Sequence, residues 1–343
     1  MPGTTLLYSQ PTPQPCFLYN IAAKQGLVTN DIHAAPYLLL PFAYETLVYN
    51  QPSTKHEEKA AKEAYEQMQQ LAAHYEQLSI THQKKLIVFF YHDSEEELPF
   101  SNAIIFRTSW RRSKQRPNVF GMPAFVDSLP QNPQPTILPY QQQPTVSFRG
   151  QSAPLTVPIT MRLKFAINRL LRKAGINRHQ LKLWYLPNYL YRRAAIQSLL
   201  QLDNAIQFDV AITQHHGAYA HPLKNDYLQA MAQHAYILCV GGFGNYSYRF
   251  YEAIREARIP LFVDSDCLLP CTDVINWREH LVWIDTAQIP QTGAILLQFH
   301  RQCSPAQFET RQQQLRQLYN QYLTPEAFAQ YVLGMLQNNM TNK

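Results

Sequence analysis

The sequence predicts an α/β protein made of two Rossmann-like units, each a parallel sheet covered by helices. Three observations carry this expectation. Short apolar runs of strand length alternate with amphipathic or polar segments of helix length over most of the chain. The stretch from Tyr236 to Asp264, YILCVGGFGNYSYRFYEAIREARIPLFVD, reads strand, glycine turn, helix, strand, which is the order of a parallel βαβ unit. A length of 343 residues allows two cores of ordinary size, and a proline- and glutamine-rich stretch, 127–144, falls between them.

Taken in chain order, residues 1–126 form the expected first unit. CFLYN (Cys16 to Asn20), PYLLLPF (Pro36 to Phe42), LIVFFY (Leu86 to Tyr91) and AIIFR (Ala103 to Arg107) are apolar runs of strand type. Between the second and third lies a polar, alanine-rich segment, Ser53 to Gln77, expected as a helix with Ser53 at its N-cap. Residues 127–144 are expected as a linker, extended and ordered because it joins two packed units. The second unit, 145–304, opens with the strand TVSFRG (Thr145 to Gly150) and a basic helix, Pro158 to Lys173, closed by Gly175. A strand at Leu181 to Leu186, a helix at Tyr189 to Leu202, a strand at Phe208 to Thr213 and a helix at Pro222 to His234 lead into the βαβ stretch. Leu281 to Asp285 supplies one more strand. This alternation implies a doubly wound sheet with ligands at the carboxyl ends of its strands. Residues 305–343 hold two amphipathic helices, from Pro305 to Asn338.

Chemistry concentrates at the glycine turn. Gly241, Gly242, Gly244 and Asn245 empty onto a helix N-capped by Ser247, where free N–H groups and the helix dipole favour an anion such as a phosphate. At 100° per residue, Phe250, Ala253, Ile254 and Ala257 share the face expected to pack on the sheet, and Arg249, Glu252 and Glu256 share another, near the turn. Arg249 offers a diphosphate a planar, permanently charged fork. Glu252 offers two acceptors to the vicinal hydroxyls of a ribose. The competing interpretation is a surface i,i+3 ion pair contributing a few tenths of a kcal/mol. Spacing alone does not choose between them, because the turn is not GxGxxG.

Composition narrows the function classes. Hydrophobic content of 46% is globular, and 21 tyrosines and 17 phenylalanines imply well-filled interiors or sugar-stacking surfaces. The first residues lack a basic region followed by a long apolar stretch, so no signal peptide is expected. No apolar run approaches the roughly 18 residues of a membrane span, and a cytoplasmic protein is expected. Five scattered cysteines, without a CxxC or histidine partners, point to reduced structural thiols and away from zinc. A net charge of +6 suits an anionic ligand.

The string GFGNYSYRFYEAIREARIPLFVDSDCLLP, followed by INWREHLVWID, resembles the signature of the exostosin-like glycosyltransferases, glycosyltransferase family 47. That family shows a glycine turn, Ser-x-Arg-x-x-Glu-Ala, a small residue before Arg-Ile-Pro or Cys-Ile-Pro, then an apolar strand, a Leu-Pro and a tryptophan. Ser247, Arg249, Glu252, Ala253, Ile259, Pro260, Leu269, Pro270 and Trp277 stand at matching positions. VSFRG (Val146 to Gly150) with Arg162 beyond it, and AIIFRTSW (Ala103 to Trp110), also fit. Ala257 departs from the usual glycine, and Val240-Gly241-Gly242 from a more usual Pro-x-Gly. The resemblance implies a GT-B-type fold, two Rossmann-like domains facing across a cleft, with the C-terminal helices packing back on the first domain. It implies an inverting transfer of sugar from a nucleoside-diphosphate donor, with UDP the expected nucleotide, to a glycan, lipid-linked or other hydroxyl acceptor, and no metal or other cofactor. The alternative on the same scaffold is a non-catalytic nucleotide- or carbohydrate-binding protein.

Further candidates surround this centre. Arg149 and Arg162 flank the first turn of the second unit as alternative phosphate partners, and His215, in His215-His216-Gly217, follows the strand Phe208 to Thr213. Asp93, after LIVFFYH, is the expected base taking the acceptor's proton, with His92, Asp31 and Glu45 as rivals. Asp264-Ser265-Asp266 is formally a DxD, expected here as a loop cap. The basic cluster Arg107, Arg111, Arg112, Lys114 and Arg116 is expected at the cleft or in a solvated loop. A nucleic-acid partner is not expected, because the alternating frame contains no such module.

Overall fold

The computed structural model describes residues 6–49, 59–126, 134–155, 187–213 and 221–341. They form two parallel sheets. The N-terminal sheet has the order β2-β1-β3-β4-β5-β6 and the C-terminal sheet the order β11-β10-β9-β7-β8, and every pair is parallel.

In the first sheet, β1 (Leu7–Tyr8), β2 (Val28–Thr29), β3 (Tyr37–Leu39), β4 (Leu86–Phe90), β5 (Ala103–Arg107) and β6 (Val119–Gly121) are short and mostly buried. LIVFF is apolar throughout because helices cover both faces. Leu86 and Val88 face one core with Ala103 and Ile105, whereas Ile87 and Phe89 face the other with Ile104 and Phe106. The long helix Lys59–Thr81 closes the first face, with Ala72 and Tyr75 buried against it. The segment Cys16 to Asn20 is not the strand its apolar run suggests. Phe17–Lys24 is a helix (α1) that buries Leu18 and Ala22, one turn apart, and Gly26 at φ +68° ends the excursion. Five apolar residues in a row carry no period, and the alanines that follow favour helix.

The second sheet holds β7 (Thr145–Gly150), β8 (Gln207–Ile212), β9 (Tyr236–Cys239), β10 (Ile259–Asp264) and β11 (Val282–Asp285). Helices Pro187–Leu200, His221–Gln233 and Tyr248–Arg255 connect or cover these strands. The expected helix 158–173, the strand 181–186, Ser53, Arg162 and His215-His216-Gly217 lie outside the described residues. Phe250, Ala253, Ile254 and Ala257 are buried on the sheet side of Tyr248–Arg255, as their spacing requires. Tyr251, Glu252 and Arg255 are buried as well, and the C-terminal helix Pro305–Leu318 packs against this helix. Ala257 adopts φ +57° directly after that helix, a left-handed position where glycine is unstrained and alanine costs about 1 kcal/mol.

The final helix, Pro325–Thr341, lies on α1, and Phe328 packs among Phe17, Phe106 and Phe125 of the N-terminal unit. Tyr37 Oη donates to the carbonyl of Leu336 at 3.0 Å. Residues 134–144 run extended and pinned: Gln312 pairs with both main-chain groups of Leu138, and Tyr140 stacks on His300 at 4.5 Å. Two parallel α/β units with a crevice between them give the GT-B-type arrangement. No described helix is long and apolar enough to cross a membrane.

Candidate functional site

The strand order of the C-terminal sheet reverses between β7 and β9, because the chain leaves β7 for the β8 edge and then returns on the other side. Loops at such a switch point diverge and leave a crevice beyond the carboxyl ends of the strands. Here the crevice is about 260 Å³ and is lined by Gly242, Gly244, Ser247, Arg249 and Glu252, with Asp93 contributed by the N-terminal unit.

The turn is shaped by close approaches. A Cβ on Gly241 would lie 2.6 Å from Asn188 Nδ2, which instead donates to the carbonyls of Gly242 and Gly244 at 3.1 and 3.3 Å. Arg249 leans back from the helix start so that its Nη2 donates to the carbonyl of Arg149 and its guanidinium lies 4.6 Å over the Phe148 ring. That approach requires Gly150, at φ +146°, because a side chain there would occupy the place of Nη2. Ser247 holds the N-cap backbone position, and its hydroxyl makes no capping bond. Glu252 is 2% exposed and accepts a hydrogen bond from the Tyr227 hydroxyl. Glu256 is turned away and pairs with Arg255 at 3.2 Å, so the expected trio on one face reduces to Arg249 and Glu252 at the crevice.

The exostosin GT47 domain model matches residues 14–299 of this sequence. The chain belongs to that family. The GT47 chain is 31% identical over 107 residues to a "Probable glucuronosyltransferase" of Oryza sativa, covering 31% of this chain and 23% of the relative. Over 70 residues it is 31% identical to a "Probable beta-1,4-xylosyltransferase" of Arabidopsis thaliana, covering 20% of this chain and 17% of the relative. The matched segments thus span less than a quarter of either relative. Among solved structures, a spinosyn rhamnosyltransferase complexed with thymidine diphosphate aligns with TM-score 0.36 and 11% identity, over 96% of this chain and 100% of that one.

Asp93 of the GT47 chain sits against the glycine turn, its Oδ1 2.7 Å from where a Cβ on Gly244 would lie. Burial and the charge of Asp93 both hold the Tyr246 and Tyr49 hydroxyls above the usual phenol range. The rivals are occupied or remote. Glu45 accepts from the Tyr91 N–H at 2.9 Å, and burial raises its carboxyl pKa. His92 Nδ1 accepts from Ser94 N–H at 2.9 Å, and burial lowers its pKa. Asp31 is exposed, caps His33, and does not line the crevice.

Two expected anion partners are placed differently. The Arg149 guanidinium is committed to Asp209 and Asp226, at 2.6 and 2.7 Å, and lies outside the crevice lining, so only its carbonyl serves the site. Asn245 is drawn into the joint between the units: its N–H donates to Ser109 Oγ at 2.8 Å and its Oδ1 accepts from Ser265 at 2.6 Å. The basic cluster belongs to this joint too. Arg112 pairs with Asp264 at 2.8 Å, Ser113 N–H donates to Asp266 at 3.0 Å, and Arg111 and Arg116 pair with Glu95 and Glu97. Arg107 is buried between Phe90 and Trp110, its Nε bonded to the Ser109 carbonyl, and desolvation lowers its pKa to about 10. It grips main chain and is shielded from any acceptor. Of the DxD aspartates, Asp264 caps its own loop, accepting from the N–H groups of Asp266 and Cys267, and binds Arg112, whereas the Asp266 carboxylate binds Ser113. Among the described residues no three His, Cys, Asp or Glu side chains gather as a metal-binding group.

Sequence reasoning passed over Arg192, Asn188 and Tyr227, all of which shape the turn or line the crevice. A signal for Arg192 exists. It shares the helical face of Tyr189, Ile196 and Leu199, all buried, so it places a charge on an apolar face.

Proposed function

We propose that this GT47 chain is an inverting glycosyltransferase that moves a sugar from a nucleoside-diphosphate donor, in the UDP form, to a hydroxyl of a glycan acceptor, without a metal. The observation that carries this reading is the crevice at the start of Tyr248–Arg255, open beside both Arg249 and Glu252 and walled on one side by Asp93. The relatives' names, a glucuronosyltransferase and a xylosyltransferase, support sugar transfer.

In this reading the amides around Gly242, Gly244 and Ser247 receive the diphosphate, and Glu252 accepts hydrogen bonds from the ribose. Asp93 takes the proton of the acceptor hydroxyl as its oxygen attacks the anomeric carbon. The bond from that carbon to the diphosphate oxygen breaks, its electron pair leaves with the diphosphate, and Arg249 offsets the charge that develops. Thermal shift with a panel of nucleotide sugars, followed by turnover with the best of them, tests the proposal. Stabilisation without transfer or donor hydrolysis would favour the non-catalytic alternative, and no stabilisation by any nucleotide would refute the donor-site reading.

Two further outcomes follow. Glu252→Ala should weaken UDP binding by about 1.5–3 kcal/mol, the worth of hydrogen bonds to a charged group, and unchanged affinity by calorimetry would remove the ribose role. Transfer should continue at full rate in excess EDTA, because arginine and backbone donors do the work a cation would do. Loss of activity on chelation, restored by a divalent ion, would overturn the metal-free mechanism.

A further inference from the structure

We propose that Arg192 is a second cationic arm of this crevice and that, with Arg249, it makes the site select a nucleoside diphosphate over a monophosphate. The inference rests on the donor-site reading above and extends it to a residue in a different helix. Arg192 projects from Pro187–Leu200, is 7% exposed, and lines the crevice beside Arg249. Its Nη1 donates to the Gln151 carbonyl at 2.8 Å and its Nη2 to the Val240 carbonyl at 3.2 Å, which places the guanidinium at the parting ends of β7 and β9. A Cβ on Gly242 would lie 3.3 Å from Nη2, so the group also borders the glycine turn. Its Nε–H is shielded from solvent and has no hydrogen-bond partner among the described residues.

An unbonded donor on a buried cation is costly, and a second arginine nearby adds to that cost. Burial first, then the charge of Arg249, lowers the Arg192 pKa to about 9. Backbone carbonyls hold Arg192 in place without cancelling its charge. An anion in the crevice would meet the remaining N–H of Arg192 Nη2, which borders the glycine turn, and would relieve the repulsion between the two guanidinium groups. A diphosphate brings more negative charge and more acceptor oxygens than a single phosphate, so two cationic arms favour it.

Calorimetry with inorganic pyrophosphate and inorganic phosphate tests this without sugar, base or turnover. The wild-type chain should bind pyrophosphate at least tenfold more tightly than phosphate. Arg192→Gln should erase most of that preference, and Arg192→Lys should restore part of it. If Arg192→Gln binds pyrophosphate like the wild type while Arg249→Ala does not, the role of Arg192 is overturned and the donor site stands. If the wild type binds neither pyrophosphate nor UDP, the donor site itself fails and this inference fails with it. Should the Gln variant not fold, a crystal structure of the wild type with pyrophosphate decides. An anion oxygen within about 3.2 Å of the Arg192 guanidinium supports the assignment, and a bound anion that makes no contact with that guanidinium overturns it.

Discussion

Arg249→Ala should raise the barrier to sugar transfer by about 2–4 kcal/mol, the scale of removing one preorganised donor from a developing negative charge. The guanidinium reaches the crevice from the first turn of a helix and is steadied there by the Arg149 carbonyl and the Phe148 ring. That steadying makes it a fixed charge that need not reorganise when the diphosphate departs. The effect should fall mainly on kcat, because the charge it meets is greatest at the transition state. Lysine should recover only part of the loss, since it cannot reproduce the fork or the stacking. Wild-type turnover by Arg249→Ala with an identified donor would end the assignment.

Gly244→Ala should be the most damaging single methyl in the site. Its Cβ would stand 2.7 Å from Asp93 Oδ1 and 2.9 Å from Asp93 Cα, and the second of these is main chain that cannot swing aside. Relief requires the 92–94 loop of one unit to retreat from the turn of the other. Overpacking of this kind costs about 1–3 kcal/mol of stability. It should also carry the proposed base away from the acceptor hydroxyl, so transfer should fall further than thermal stability does. A variant with unchanged Tm and turnover would mean that Asp93 and the turn are not in contact in solution.

The parts of this fold that could be read from sequence are those with a local cause. LIVFFY and AIIFR announce strands because a parallel sheet covered on both faces needs unbroken apolar runs. The turn before Ser247 is visible because glycines between a strand and an amphipathic helix have few other uses. Cys16 to Asn20 was misleading because an aperiodic apolar run does not reveal which element buries it. β1 and β2, two residues each, are too short to leave any pattern.

The site was legible only where it is contiguous. Arg249, Glu252 and the glycines lie within one βαβ stretch, and they do share a crevice. Arg192 comes from another helix and owes its meaning to neighbours that folding supplies. The basic cluster was hard to place for the same reason: Arg112 finds its acid, Asp264, 152 positions away. Arg111, Arg112 and Arg116, which look free along the chain, each meet a carboxylate in space.

The bonds from Asn245 to Ser109, from Asp264 to Arg112 and from Asp266 to Ser113 have a mechanical consequence. They fasten the two halves of the molecule at the glycine turn, through Asn245, and at the end of β10 and the loop after it, through Asp264 and Asp266, so a clamshell swing would have to break both joints. Phe243, 65% exposed, stands on the rim of the crevice that these joints hold in shape.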